Sequence, residues 1–205
     1  MLRIVFSKTV PPAKGPAIFI DRDGVINERR PDDYVLNFSQ FVFVPGIRAA
    51  LKQLASLGLP MIIISNQAAV GKGLLSVSGL EEITARMAET LREDGTVLTA
   101  AYFCTHRTDE NCICRKPKPA LLQAAATDFY IDLPRSIFIG DSETDVLAAK
   151  AVGVTPVLLG TGLQNGPGTP DWISGIAATV KTSELFDIAV NCLCTGPVNP
   201  SLCVK

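Results

Sequence analysis

Asp21-Arg22-Asp23-Gly24 follows directly on the apolar run Ala17-Ile18-Phe19-Ile20. A pair of carboxylates at the carboxyl end of a buried strand lies where open α/β sheets place their ligands. Holding both there is costly unless a cation or a shared proton offsets their charge. Alone, the string reads as a strand with an acidic turn. Three further strings supply complementary groups: Ser65-Asn66-Gln67 after Pro60-Met61-Ile62-Ile63-Ile64, Arg115-Lys116-Pro117 ahead of a helix, and Gly140-Asp141 after Ser136-Ile137-Phe138-Ile139, with Asp145 one turn on. Each by itself is a turn, a solvated charge pair or a helix start. In a parallel sheet all four converge on one edge.

Phosphoryl transfer explains why this set belongs together. Phosphate monoesters resist hydrolysis so strongly that enzymes supply accelerations up to about 10²¹. Most of that comes from neutralising and positioning the phosphoryl group. Asp21 and Asp141, with the backbone carbonyl of Asp23, make an oxygen set for magnesium, which keeps several waters. Asp21 is also the candidate nucleophile, forming an acyl-phosphate. Asp23 reaches the leaving oxygen as acid and then activates water as base. Ser65 and the amide of Asn66 hold phosphoryl oxygens, Lys116 balances charge, and Asp145 orients Lys116 or loop amides.

Cys104-Thr105-His106 and Cys112-Ile113-Cys114 form a second constellation around the single histidine of the chain. Three thiolates and one imidazole close a tetrahedron about zinc and leave no open position, so the metal would be structural. A disulfide or buried thiols are the competing explanations. Cys114 abuts Arg115, so fixing this loop also fixes the phosphate-binding residues. Cys192, Cys194 and Cys203 make a weaker grouping in the tail, with no histidine and no assigned role.

The elements that must position these groups are short β-branched runs alternating with helical periods, the pattern of a mostly parallel sheet covered by helices. Helices are expected over Gly46 to Leu57 and after Ser78, whose capping box with Glu81 would start a helix burying Leu80, Ile83, Met87 and Leu91. A strand is expected near Leu98 to Phe103, a short helix from Pro119 through Ala126, and a helix from Glu143 to Val152. Val154 to Leu159 and Ala177 to Val180 complete the sheet, with Gly160 to Pro170 as loop. The amino end reads as an extra strand or a loose arm.

A length of 205 residues, 47% of them hydrophobic and 19% charged, fits one compact domain. We divide it into a core of about residues 15–185, a zinc loop at 104–114 and a tail at 186–205. A formal charge of −1 argues against a general nucleic-acid or anionic-membrane binder. No apolar run reaches the roughly 18–20 residues of a membrane helix. The six cysteines lack the spacing of a disulfide framework, so a cytoplasmic location is expected; a monomer is expected as well.

In order, Asp-x-Asp-Gly-Val, Ser-Asn, Lys-Pro and Gly-Asp-x-x-x-Asp resemble the motifs of the haloacid dehalogenase superfamily, over Ala17 to Gly162. Asp21 through Asn27, Ser65-Asn66-Gln67 and Cys114-Arg115-Lys116-Pro117 are similar to the branch containing the D-glycero-D-manno-heptose 1,7-bisphosphate and histidinol-phosphate phosphatases. That resemblance implies a Rossmann-like α/β fold with helices on both faces, magnesium catalysis, and a Cys-x-His…Cys-x-Cys loop. Here five residues separate His106 from Cys112, a short version of that loop. Ala69 and Ser142 stand where the pattern often has glycine and lysine.

The segment from Asn27 to Pro45 is too short for a cap domain. It leaves an open site in which Arg29, Arg30, Tyr34, Gln67 and Arg115 face the leaving group; an ordinary polar loop is the plainer reading. The expected substrate is a small phosphorylated sugar, foremost the heptose bisphosphate. Histidinol phosphate, or an inactive zinc-stabilised binding protein, are the alternatives.

Overall fold

A computed structural model of the chain describes residues 1–7, 13–30, 33–160, 171 and 179–195. Its centre is a seven-stranded sheet in the order β1-β4-β3-β2-β5-β6-β7. The strands are β1 (Leu2–Val5), β2 (Ile18–Ile20), β3 (Met61–Asn66), β4 (Ala100–Cys104), β5 (Ile137–Gly140), β6 (Thr155–Leu159) and β7 (Thr179–Val180). All neighbours run parallel except β1, which pairs antiparallel with β4. The mostly parallel α/β architecture expected from sequence is therefore the observed one.

Alternation of side chains along each strand divides the core into two layers. Ile18, Ile20, Ile63 and Ile139 pack with helices α1 (Ile47–Ala55), α3 (Val77–Glu93) and α6 (Leu185–Thr195). Phe19, Ile62, Ile64 and Phe138 face the other way, against α4 (Ala120–Phe129) and α5 (Glu143–Lys150). A short α2 (Ala68–Gly71) follows β3. Ile18, Phe19 and Ile20 are fully buried; each such side chain contributes about 1.5–3 kcal/mol, and Phe19→Ala would cost about 3–5 kcal/mol.

Several boundaries differ from the sequence expectation. Ser76, not Ser78, caps α3: its backbone is extended and its Oγ accepts from the amide of Gly79 at 2.9 Å. Ser78 falls inside the first turn. Helix α4 runs to Phe129, whose buried ring extends the apolar stripe, and stops at Tyr130 with φ 56°. Helix α5 ends at Lys150, short of Val152. The amino end is a strand, held by Arg3 and Tyr102, which both donate to Asp128 Oδ2 at 2.6 Å. Residues 161–170, 177, 178 and Cys203 lie outside the described residues.

The segment after β2 forms no cap. It folds down on the core through Val35 and Phe41, with Phe38 stacked on Phe41 at 5.5 Å and Phe43 edge-on at 5.1 Å. That leaves the carboxyl edge of the sheet open. From β2 the chain winds outward to β3 and β4, then crosses back to β5, so the winding reverses between β2 and β5. Open α/β sheets form their ligand crevice at such a reversal.

Candidate active site

The crevice is a cleft of about 630 Å³ at that edge. It is lined by Asp21, Asp23, Arg29, Arg30, Tyr34, Ser65, Asn66, Gln67, Arg115 and Lys116, so every candidate phosphate- or substrate-binding residue borders it. Asp141, which follows the end of β5, has a carboxylate oxygen within 4.8 Å of one of Asp21. Asp145 lies beneath, at 1% exposure.

Lys116 sits at the centre. Its Nζ is 2.9 Å from Asp21 Oδ1 and 2.5 Å from Asp145 Oδ1, and donates to the carbonyl of Ile64 at 2.9 Å. Burial would strip its proton, but the charges of Asp145 and Asp21 outweigh that and hold its pKa above the ordinary lysine value. The main chain beside it is fixed by Asn66, whose Oδ1 accepts from the Lys116 amide at 3.1 Å and whose Nδ2 donates to the Lys116 carbonyl at 3.2 Å. Asn66 thus shapes the lysine loop with its side chain. Asp145 Oδ2 accepts from the amides of Asp141 and Ser142 at 3.2 and 3.1 Å and from Ser142 Oγ at 2.6 Å. One carboxylate therefore orients both Lys116 and the turn that carries Asp141.

Asp21 is pushed up to about 7, first by burial, against the opposing charge of Lys116, and further by Asp145 and Asp141. Asp141 is raised to about 6, again first by burial, with Arg29 pulling the other way. Arg29 Nη2 donates to Asp141 Oδ1 at 2.8 Å. This acid cluster is undercompensated by the side chains around it. Oxygens of Asp21, Asp141 and Asp145 lie within 4.8 Å of one another. With Asp145 committed to Lys116 and the turn, Asp21 and Asp141 are the carboxylates left that could hold a cation, and hard carboxylate oxygens suit a magnesium-type ion. The residues fit the cation. Gly24 makes room for them: a Cβ there, at φ 97°, would fall 1.8 Å from Asp141 Oδ2.

Asp23 contrasts with Asp21. Burial would raise it, but the adjacent Arg22 guanidinium and hydrogen bonds from Arg22, Asn27 and Gln67 hold it below the usual carboxylate range. Arg22 is only 1% exposed and its Nη2 lies 2.8 Å from Asp23 Oδ1. Sequence reasoning did not single out Arg22, because arginine is ordinarily a surface residue. Asn27 was also missed as a site residue, although it stands four positions after Asp23 and donates to its Oδ1 at 2.9 Å. Tyr34 takes the ammonium of Lys72 over its ring at 5.3 Å, and Arg30 pairs with Asp33 at 2.6 Å. Lys118 lies on the cleft wall and donates to the carbonyl of Cys112 at 2.7 Å.

The cysteine–histidine loop adjoins this wall. Cys104 Sγ lies 3.5 Å from Cys112 Sγ and 3.6 Å from His106 Nδ1. Cys114 Sγ lies 3.3 Å from His106 Nδ1 and 3.8 Å from Cys112 Sγ. Soft donors bound at about 2.3 Å around one tetrahedral ion stand about 3.8 Å apart, so the spacing fits a metal. The three cysteines of this loop are free thiols, not disulfide-paired. Burial pushes the Cys104 thiol up to about 12, a cost that a coordinating cation would reverse. The loop is seated under the cleft: Gln67 donates its amide to the Cys104 carbonyl at 2.7 Å. Gly71 approaches so closely that a Cβ would lie 2.6 Å from both the Arg107 nitrogen and the Thr105 oxygen.

The HAD-hydrolase-like family profile matches residues 113–179. The D-glycero-beta-D-manno-heptose-1,7-bisphosphate 7-phosphatase of Helicobacter pylori J99 is 42% identical over 159 residues, covering 77% of this chain and 89% of the relative. The protein of the same name from Pseudomonas putida is 39% identical over 145 residues, covering 71% of this chain and 82% of its own length. Among solved structures, the D,D-heptose 1,7-bisphosphate phosphatase of B. bronchiseptica, complexed with magnesium and phosphate, superposes with a TM-score of 0.74. It shows 30% identity over 87% of this chain and 98% of its own. Fold, motif order and relatives agree, and the chain belongs to the haloacid dehalogenase superfamily of phosphoric monoester hydrolases, in its histidinol-phosphate and heptose bisphosphate phosphatase branch.

Proposed function

We propose that this protein is a magnesium-dependent phosphatase that removes the 7-phosphate of D-glycero-D-manno-heptose 1,7-bisphosphate through a phosphorylated Asp21. The observation that carries the chemistry is the pairing of Asp21 with buried Lys116 at 2.9 Å, on the same cleft as an independently held second carboxylate, Asp23. The heptose assignment is supported by the names of the relatives and by a cleft wall carrying Arg30, Arg115 and Lys118, suited to a second anionic group on the substrate.

In this reading Asp21 attacks phosphorus and the P–O bond to the sugar breaks. Asp23, in its protonated form, gives the departing oxygen its proton and becomes the carboxylate that Arg22, Asn27 and Gln67 stabilise. Asp23 then takes a proton from water, whose oxygen attacks phosphorus, releasing inorganic phosphate and restoring the Asp21 carboxylate. Ser65, the Asn66 amide and Lys116 hold the phosphoryl oxygens throughout, and Asp145 keeps Lys116 in place. Asp21, Asp141 and the Asp23 carbonyl would hold magnesium, which would neutralise phosphoryl charge, and Cys104, His106, Cys112 and Cys114 would hold zinc, which would fix the loop beside Gln67 and Arg115. Among the described residues no helix is long and apolar enough to cross a membrane.

The test is phosphate release from a panel of sugar phosphates and histidinol phosphate with magnesium, for the native protein and Asp21→Asn. The heptose bisphosphate should give the highest kcat/KM, and Asp21→Asn should be folded and inactive. A preference for histidinol phosphate overturns the substrate, and an active Asp21→Asn overturns the nucleophile.

A further inference from the structure

Gln67, expected to face the leaving group, borders the cleft and is only 4% exposed, and its Nε2 donates to Asp23 Oδ2 at 2.7 Å and to Ser65 Oγ at 3.1 Å. We propose that Gln67 is a positioning residue for proton transfer: one carboxamide, spanning Asp23 and Ser65, sets where the proton-handling carboxylate stands relative to the hydroxyl that holds the phosphoryl group. The inference rests on the function proposed above.

The two oxygens of Asp23 are held differently. Oδ1 accepts from Arg22 Nε at 3.2 Å, Arg22 Nη2 at 2.8 Å and Asn27 Nδ2 at 2.9 Å. Oδ2 accepts from Gln67 at 2.7 Å and shares Arg22 Nη2 at 3.0 Å. Three donors reach Oδ1 and two reach Oδ2, one of them the Arg22 Nη2 that both oxygens share, so Oδ2 is the less crowded oxygen and the one to meet a reacting group. Arg22 and Asn27 act as the pivot, and Gln67 fixes the angle about it. Gln67 is itself braced: its backbone amide donates to the Cys104 carbonyl at 2.7 Å, and Ser65 is locked in β3. Proton transfer demands heavy-atom separations of about 2.6–3.2 Å, so a swing of Asp23 about its pivot would spoil it. An amide already spent on Asp23 and Ser65 has no donor to offer a sugar hydroxyl.

The consequence is specific to the leaving group. Esters of weakly acidic alcohols need the proton most, and those of acidic phenols need none. The experiment measures kcat/KM for the heptose bisphosphate and for ethyl, 2-fluoroethyl, 2,2,2-trifluoroethyl and 4-nitrophenyl phosphate, with magnesium, for the native protein, Gln67→Met and Gln67→Asn. Methionine keeps the length without a donor, and asparagine keeps the amide but is one methylene too short to span. Because kcat/KM reports only steps through departure of the leaving group, later hydrolysis of the phosphorylated enzyme does not enter. We expect both variants to lose about 10²-fold on ethyl phosphate, progressively less along the fluorinated series, and to leave 4-nitrophenyl phosphate nearly unchanged.

Equal losses on every ester overturn the proposal in favour of a structural or phosphoryl-binding role. Loss confined to the heptose bisphosphate, with the simple series untouched, overturns it in favour of direct sugar binding. Native protein that hydrolyses none of the esters nor the heptose bisphosphate refutes the proposed function itself and the inference with it. Should Gln67→Met fail to fold, Gln67→Asn carries the same comparison.

Discussion

Replacing Lys116 by methionine keeps the stem and deletes the ammonium from between two buried carboxylates. Lys116 is 4% exposed, and its Nζ lies 2.9 Å from Asp21 Oδ1 and 2.5 Å from Asp145 Oδ1. Removing one partner of a buried ion pair costs about 3–5 kcal/mol, because the other charge is stranded. In a chain of this length each kcal/mol moves Tm by about 2–4 °C, so a fall of about 6–20 °C is expected at pH 8. The loss carries a pH signature. Asp21 already stands at about 7 with the lysine present, and loses its opposing charge in the variant. A carboxylate whose folded pKa exceeds its unfolded value of about 3.9 has stability that is full below that value and is lost as pH rises through the folded one. At pH 5 Asp21 is protonated in the variant and one stranded charge is gone, so about half of the gap should close. Urea unfolding of both proteins at pH 5 and pH 8, without added magnesium, reads the two gaps. Equal gaps would refute the charge argument and assign the loss to packing, since Lys116 also covers the ring of Phe138 at 5.4 Å.

Magnesium binding should weaken as pH falls, because protons compete for carboxylates raised to about 7 at Asp21 and about 6 at Asp141. Calorimetric titration should show about a tenfold loss per unit below the first value and a steeper one below the second; a flat profile from pH 8 to 5.5 would contradict it. Gly24→Ala should fold but bind magnesium poorly, since its Cβ would stand 1.8 Å from Asp141 Oδ2 and its φ of 97° strains any other residue by about 1–3 kcal/mol. Native magnesium affinity in that variant would show that Asp141 is not a ligand. Cys112→Ser should lower the bound zinc measured by mass spectrometry, the Tm and the hydrolytic rate together, because the loop braces Gln67. A zinc-depleted variant of full activity would separate the loop from catalysis.

Much of the fold was legible because local pattern and tertiary demand agree. Ala17 to Ile20 and Met61 to Ile64 are uniformly apolar, as strands covered on both faces must be, and the polar residues after each run mark the edge where a cleft forms. Start positions were less legible where the chain offers two equivalent caps: Ser76 and Ser78 both fit, and only Ser76 has the extended backbone that aims its hydroxyl at the Gly79 amide. Pairing of the amino-terminal strand with β4 is non-local, and nothing within Leu2–Val5 states which edge it joins. At the site, residue types revealed which groups gather but not which of them touch. Gln67 and Asn66 are polar residues after a strand; that one braces Asp23 and the other the lysine loop depends on contacts across the sheet. Arg22 was hidden for the same reason, its burial following from the carboxylate it serves.

The antiparallel strand at the amino end also governs how molecules meet one another. β4 is buried at every position, uncharged from Ala100 to Cys104, and without β1 its outer row of amides and carbonyls would lie bare. Such a bare, flat, apolar rim recruits foreign strands and seeds aggregates. Leu2–Val5 acts as a selvedge on that rim, stitched down by Arg3 through Asp128. Trimming those few residues would leave the cleft chemistry in place and yet give a protein that precipitates.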